Sequence, residues 1–200
     1  MGVLVVTGWA AAAWGAAAAA PERYVIVPSE SQVIYRVGEE FLEQGTQFNV
    51  AVGTTNAVHG EVLIDHADPR RSRVGPVTVD ISRFQSDQPR RDNAIRRRWL
   101  ESERYPTAVF TPTAIHGLPD AYTLGHEILA QITGTLRIRD VTRVTTFATR
   151  VRLDGDTLTG VATAMIHMTD FGFDPPSILG FVKAENEATL ELHFLARRAG

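Results

Sequence analysis

A hydrophobic period of two runs through the chain from about residue 21 to the end, and it limits the possible folds more than any other feature. Apolar side chains alternate with polar or small ones over residues 48–52, 77–81, 128–132 and 190–194. Such alternation indicates extended strands with one face buried. Turn-forming residues, including the Asp154-Gly155-Asp156 triplet, separate these runs. Closely spaced strands without helices between them predict an all-β fold.

One segment breaks the alternation. Over residues 89–105 the apolar side chains Ile95, Trp99 and Leu100 fall on one helical face. We expect Asp92 to cap the start of this helix and Tyr105 to end it, because a proline follows. The pattern predicts four or five strands, one short helix and then further strands.

Six arginines surround the apolar face of that predicted helix: Arg90, Arg91, Arg96, Arg97, Arg98 and Arg104. They could form a patch for phosphate or anionic lipid. The alternative is a solvated face in which they pair with Asp92, Glu101 and Glu103 at helical spacing, and the sequence favours this second interpretation. No nucleic-acid partner is expected, since the net charge is −3 and aromatic residues do not interleave with the basic ones.

The chemistry of a familiar enzyme is not evident in the sequence. The chain has no cysteine, and no nucleophile elbow, zinc-protease motif or phosphate-binding loop is present. Its six histidines do not occur at metal-ligand spacing. We therefore predict a protein that is not an enzyme and has no metal. An enzyme remains an alternative if His167, Asp170 and Glu185 converge inside the fold.

The first twenty residues are uncharged and rich in alanine. An apolar run that ends in small residues predicts a cleaved signal peptide over 1–20 and a mature domain over 21–200. We therefore expect a periplasmic or secreted protein. An uncleaved membrane anchor is the alternative.

Several predicted strands are apolar or small on both faces, as over residues 157–168. This composition suits an antiparallel barrel whose interior is also apolar. About eight strands can leave room for one small ligand. A barrel filled by its own side chains, which would serve a structural or partner-binding role, is the alternative.

A series of segments resembles one family in order and spacing over residues 24–196. They are SQVIYRV (31–37), TQFNVAV (46–52), VHGEVLID (58–65), VTVDISRFQSDQPRRD (77–92), RYPTAVF (104–110), ITGTLRIRDVT (132–142) and MIHMTDFGF (165–173). Together they are similar to the YceI-like family. Ala94 stands where relatives commonly have histidine, Arg139-Asp140 where they have His-Gly, and His167 where they have arginine.

The resemblance implies a lipocalin-like antiparallel barrel that holds a polyisoprenoid-type chain in an elongated apolar tunnel, often as a homodimer. No obligatory cofactor is implied, although a polyisoprenoid or an isoprenoid quinone could be bound. Transient membrane contact would fit such a ligand. Arg91 and Asp92 are expected to form an ion pair that fixes the helix over the barrel. Eight apolar side chains are candidates for the tunnel lining: Phe48, Val50, Phe110, Ile132, Leu136, Phe147, Met165 and Phe171.

Overall fold

The alternating segments form strands in the computed structural model, which describes residues 20–41, 47–178 and 182–200. These residues contain the strands β1 (Glu22–Ile26), β2 (Gln32–Phe41), β3 (Gln47–Thr55), β4 (Val58–His59), β5 (Glu61–Ile64), β6 (Arg73–Val74), β7 (Val77–Asp80), β8 (Thr107–His116), β9 (Glu127–Ile138), β10 (Val141–Asp154), β11 (Thr157–His167), β12 (Ser177–Ile178) and β13 (Val182–Arg198). Short 3-10 turns lie at Pro28–Glu30, Pro69–Arg71, Ile81–Arg83 and Met168–Phe171. The predicted signal peptide lies outside the described residues except for Ala20.

All of these strands pair in an antiparallel manner, and the hydrogen-bonded order runs β4-β7-β8-β9-β10-β11-β13-β1-β5-β6. The first strand of this order, β4, and the next-to-last, β5, are consecutive pieces of one bent strand that are joined at Gly60. The Ile26 N–H donates to the Gly60 carbonyl at 3.0 Å at this junction. The sheet therefore closes on itself as a barrel, and the prediction of an all-β antiparallel barrel with one short helix is confirmed.

Consecutive short strands follow the same path around the barrel. Both β1 and β2 pair with β13, and β3 continues through β4 into β5. In the same way, β6 pairs with β5 and β7 pairs with β4, so that β6 and β7 together line the continuous strand formed by β3, β4 and β5. When these pieces are joined, eight strands surround the interior, as expected for a barrel that leaves room for a ligand.

The barrel has two ends, which we name by what covers them. At the helix end lie the β9–β10 turn and a segment of residues 89–100, called here the helix cap. At the loop end lie the β10–β11 turn, where Gly155 adopts a φ of 59°, and the β8–β9 connection of residues 117–126, called here the loop cap. Each end contains its own buried apolar cluster.

The helix cap is shorter than the sequence predicts. It consists of α1 (Pro89–Ala94) and one wide π-type turn (Ile95–Trp99), in which the Leu100 N–H donates to the Ile95 carbonyl at 2.8 Å. Glu101 then takes a φ of 46°, a left-handed conformation that does not continue a helix. The helix thus ends before Tyr105, and the predicted extension to that residue is wrong.

Asp92 does not cap the helix either. The residue at the capping position is Gln88, whose side chain makes no capping hydrogen bond. The Asp92 carboxylate is buried and accepts from the Ser86 N–H at 3.0 Å and the Ser86 hydroxyl at 2.6 Å. It fastens the chain that leads into the helix.

Candidate functional site

An apolar cavity of about 300 Å³ occupies the barrel interior between the two caps. This volume is at the lower limit of the roughly 300–1,000 Å³ found for small-molecule sites. Inward-facing side chains of the barrel strands form its wall, and the two caps supply the rest. The interior is therefore not filled by its own side chains, and the alternative of a filled barrel is wrong.

Small side chains create the free space. Ala51, Ala130, Ala162, Ala184 and Ala188 all line the cavity and are all buried. A methyl group fills far less of a barrel interior than the leucine or phenylalanine common in packed cores. These inward-facing alanines, which lie on four different strands, therefore leave space that larger side chains would fill.

Four of the eight side chains predicted to line the tunnel lie on the cavity wall. They are Phe110, Ile132, Leu136 and Phe147. The rings of Phe110 and Phe147 meet edge to face with 4.8 Å between their centroids. Whether these side chains contact a ligand stays a prediction.

Phe48 and Val50 were expected in the lining, and this is wrong. Their side chains are 76% and 54% exposed on the outer face of β3. The register with β2 explains this, because Ala51 pairs with the inward-facing Val37 and so the even-numbered residues of β3 point outward. β3 is indeed an alternating strand, but the face that carries its polar and small side chains, such as Ala51, points into the barrel.

Met165 and Phe171 do not line the cavity. Met165 is 61% exposed, since its neighbour Ile166 faces inward on β11. Phe171 is buried, but it packs in the core cluster of the helix end without reaching the cavity. The prediction for both residues is wrong.

The helix cap closes its end of the cavity with Ala94, Ile95, Trp99 and Leu100. Its position is held by charge. The Arg91 guanidinium donates to the Glu39 carboxylate at 3.0 Å and also pairs with Asp87. The side chains of Arg91 and Glu39 are each only 10% exposed, and both line the cavity. The predicted ion pair between Arg91 and Asp92 is thus wrong. Arg91 pairs with Glu39 instead and so joins the helix to β2.

Arg139, in the β9–β10 turn, fastens the other end of the helix cap. Its guanidinium donates to the Trp99 carbonyl at 3.2 Å and pairs with Glu101 at 2.5 Å. Arg139 adopts a φ of 57°, which is unusual for a residue other than glycine. The side-chain contacts of Arg139 tie the cap to the barrel rim.

Tyr35 places a phenol beside these charges on the cavity wall, and it was missed from the sequence. Its ring packs edge to face on Phe84, with centroids 5.1 Å apart, and occupies the space that a Cβ on Gly53 would need. Burial, and then the negative charge of Asp92, raise the pKa of Tyr35 to about 12. Its position between Val33 and Val37 on an inward face could have revealed it.

The loop cap closes the opposite end with Leu118 and Tyr122. The Tyr122 hydroxyl lies 2.9 Å from the Ser72 hydroxyl, and burial raises the pKa of this tyrosine. The Gly125 N–H donates to the Leu153 carbonyl at 2.9 Å. These uncharged contacts hold the loop where it meets the cavity, and Asp120 also pairs with Arg70 at the exposed surface.

The candidate catalytic side chains do not meet in the cavity. His167 Nδ1 lies 3.6 Å from Asp170 Oδ2, and both side chains are more than half exposed on the outside. Glu185 is exposed as well. The expectation of a converging polar cluster is therefore wrong. Across the three described ranges, no group of three or more His, Cys, Asp or Glu residues could hold a metal ion.

The fold and its cavity define a lipocalin-like barrel of the ligand-binding type. Among the described helices, none has both the length and the apolar character needed to cross a bilayer.

The chain belongs to the YceI-like family, because the sequence model of the YceI-like domain matches residues 24–196. A search of curated proteins finds no match.

Solved structures share the fold at low sequence identity. BcnA of Burkholderia cenocepacia is 18% identical, with a TM-score of 0.65 over 85% of this chain and 98% of that one. A polyisoprenoid binding domain from Saccharophagus degradans, implicated in plant cell wall breakdown, is 11% identical, with a TM-score of 0.62 over 90% and 99%. The YceI protein of Campylobacter jejuni is 16% identical, with a TM-score of 0.58 over 80% and 91%.

Proposed function

We propose that this protein is an exported carrier, store or scavenger that holds a long apolar isoprenoid-type lipid, polyprenyl or quinone-like, inside its barrel, and that it is not an enzyme. The observation that carries this proposal is the apolar cavity, whose lining reaches from Trp99 in the helix cap to Tyr122 in the loop cap. A site that extends along the barrel suits a chain better than a compact molecule.

The composition of the wall supports an apolar ligand. Most of the lining side chains are aliphatic or aromatic, and the few ionisable ones include Arg91 and Glu39, which already pair with each other. A hydrocarbon chain needs no specific hydrogen bonds, because burial of apolar surface contributes about 25 cal/mol per Å² before the costs of association.

The isoprenoid class of the ligand is supported by the family and by one structural relative. The Saccharophagus degradans protein is described as a polyisoprenoid binding domain. Export is supported by the uncharged, alanine-rich residues 1–20.

Native mass spectrometry tests the proposal. The mature protein is purified from a membrane-containing extract of its own source, weighed intact and then extracted for lipid identification. We expect a stoichiometric polyprenyl or quinone adduct, and the same spectrum reports whether the protein is a homodimer. A mass without adduct, together with no uptake of polyprenyl lipid in a detergent titration, would contradict the proposal. Turnover of a bound lipid would instead support an enzyme.

A matched pair of variants locates the ligand. Ala162 lies midway along the barrel, between Thr149 of β10 and Leu192 of β13, and its side chain faces the cavity. We expect Ala162→Phe to block the middle of the cavity and reduce lipid uptake by at least tenfold, which corresponds to about 1.4 kcal/mol.

Thr163→Phe is the control. Thr163 is the next residue on β11 and does not line the cavity. Its substitution adds the same ring on the outer side and should leave uptake unchanged. Equal losses in both variants, or none in Ala162→Phe, would mean that the lipid does not occupy the cavity.

A further inference from the structure

The outer side of the helix cap and its flanks is basic, although the whole chain is not. Residues 83–104 contain seven arginines and four carboxylates, so their net charge is +3, whereas the chain carries −3. Arg90, Arg97, Arg98 and Arg104 in this segment are exposed. This one segment, which covers the helix end of the barrel, is therefore locally positive.

The carboxylates expected to neutralise these arginines are mostly engaged elsewhere. Asp92 is buried against Ser86, and Glu101 pairs with Arg139. Glu103 approaches Arg97 only to 3.8 Å, with both side chains largely exposed. Within the described part of the chain, Arg90 and Arg98 have no carboxylate within 4 Å. The interpretation of this surface as a self-paired helix face does not hold for these two residues.

Exposed apolar side chains occur at the same end. Phe48 and Val50 point outward on β3, and Glu40, in register with Phe48, is the neighbour of the Glu39 that binds Arg91. Two large apolar groups thus lie on the outer wall at the helix end, on the strand next to the one that carries Glu39. The inner side of the same cap lines the cavity through Ile95 and Trp99.

We propose that the helix end is a docking surface for an anionic phospholipid bilayer. Arg90 and Arg98 contact the lipid phosphates, and Phe48 and Val50 enter the headgroup region. This arrangement places the cap between the membrane and the cavity. The inference rests on the proposed function for its purpose, since an isoprenoid lipid must be taken from or delivered to a membrane, but the surface itself is tested without that ligand.

Vesicle co-sedimentation tests the surface. The protein is mixed at low salt with vesicles of phosphatidylcholine alone, or with vesicles in which about a third of the lipid is phosphatidylglycerol, neither containing isoprenoid. We expect binding to the anionic vesicles only. The double variant Arg90→Gln/Arg98→Gln should bind roughly 25-fold more weakly, since each basic residue near such a surface contributes about 1 kcal/mol, or about fivefold.

The control is Arg150→Gln/Arg152→Gln, which removes the same charge from exposed positions on β10 away from the cap. It should retain nearly all vesicle binding. Equal weakening in both double variants, binding to phosphatidylcholine as strong as to the anionic vesicles, or no binding by the unmodified protein would overturn the inference. A separate titration with polyprenyl lipid in detergent reports on the cavity, so that failure of the docking surface and failure of the proposed function are distinguished.

Discussion

The two ends of the barrel are closed by different physical means. At the helix end, buried or half-buried ion pairs hold a helical segment across the opening: Arg91 with Glu39, and Arg139 with Glu101. At the loop end, a connection of ten residues covers the opening, and the Ser72–Tyr122 hydroxyl pair and a backbone hydrogen bond hold it where it meets the cavity. The helix end thus depends on buried or half-buried charge, whereas the ion pair of the loop cap, between Arg70 and Asp120, is exposed and is expected to contribute little.

This difference indicates what it takes to open each end. Separating buried charges is costly, so opening of the helix cap, which would part Arg91 from Glu39 of β2, is expected to be strongly unfavourable. A neutral hydrogen bond contributes about 1 kcal/mol, so the contacts of the loop cap can be exchanged one at a time. Single substitutions should therefore change the free energy of unfolding more at the helix end than at the loop end.

The largest expected effect is at the helix end. Arg91→Ala removes the partner of Glu39, whose carboxylate then stays buried without compensation. We expect a loss of about 3 kcal/mol in the free energy of unfolding, measured by urea denaturation. The double variant Arg91→Met/Glu39→Leu should recover much of that loss, because neither charge remains.

Arg97→Ala is the control for this substitution. Arg97 lies on the same cap but is exposed, and among the described residues its nearest carboxylate, that of Glu103, is 3.8 Å away. Its removal should change the free energy by no more than about 0.5 kcal/mol. Similar losses in Arg91→Ala and Arg97→Ala would show that the buried ion pair does not hold the cap.

A smaller effect is expected where the loop cap begins. Gly117 adopts a φ of 90°, and a Cβ there would lie 2.7 Å from the Leu129 carbonyl oxygen. Gly117→Ala should cost about 2 kcal/mol and speed hydrogen exchange in residues 117–126 but not in the helix cap. Gly155→Ala, at a φ of 59° with no atoms within 4 Å, should cost only about 1 kcal/mol. Faster exchange in the helix cap would show that the two ends are coupled.

The smallest effect concerns the tyrosines at the two ends. The pKa of Tyr35 at the helix end is raised to about 12, first by burial and then by nearby Asp92, and the pKa of Tyr24 is also raised to about 12. An alkaline titration followed by ultraviolet absorbance should therefore show a late ionisation phase, and Tyr35→Phe should remove one equivalent from it.

The sign of the linked stability follows from the direction of this shift. A folded-state pKa above the ordinary value of 10 means that the folded protein holds the proton more tightly. The contribution of Tyr35 to stability is complete below pH 10 and is lost as the pH rises through about 12. An unchanged late phase in Tyr35→Phe would show that the helix end does not shift this group.

Much of the fold could be predicted from short-range patterns in the sequence. The strand alternation over residues 77–81 and 128–132 corresponds to segments of β7 and β9, and the Asp154-Gly155-Asp156 triplet forms the predicted turn. The arginine-rich segment does begin as a helix at Pro89. These features depend on residues close together in the chain, which is why their type could be predicted.

The residues of the candidate site could be predicted from the sequence only in part. Phe110 and Phe147 lie on the cavity wall, whereas Phe48 and Val50, chosen by the same reasoning, lie outside. The alternation of a strand shows that its two faces differ but not which face is inside when one is apolar and the other small. The pairing of β3 with β2 decides this, and it depends on residues that are distant in sequence.

Patterns within the chain predict the fold class, the strand positions, the concentration of arginines near the helix and the family landmarks, because each follows from periods of two or 3.6 residues and from short motifs. The folded barrel shows what these patterns leave open: which side chains face the cavity, that Arg91 binds Glu39 instead of Asp92, and that Asp92 and Glu101 bind partners other than Arg90 and Arg98. Strand register and the choice of ion-pair partner depend on contacts across the closed barrel, where many long-range pairings compete and only the packing of the whole chain selects among them.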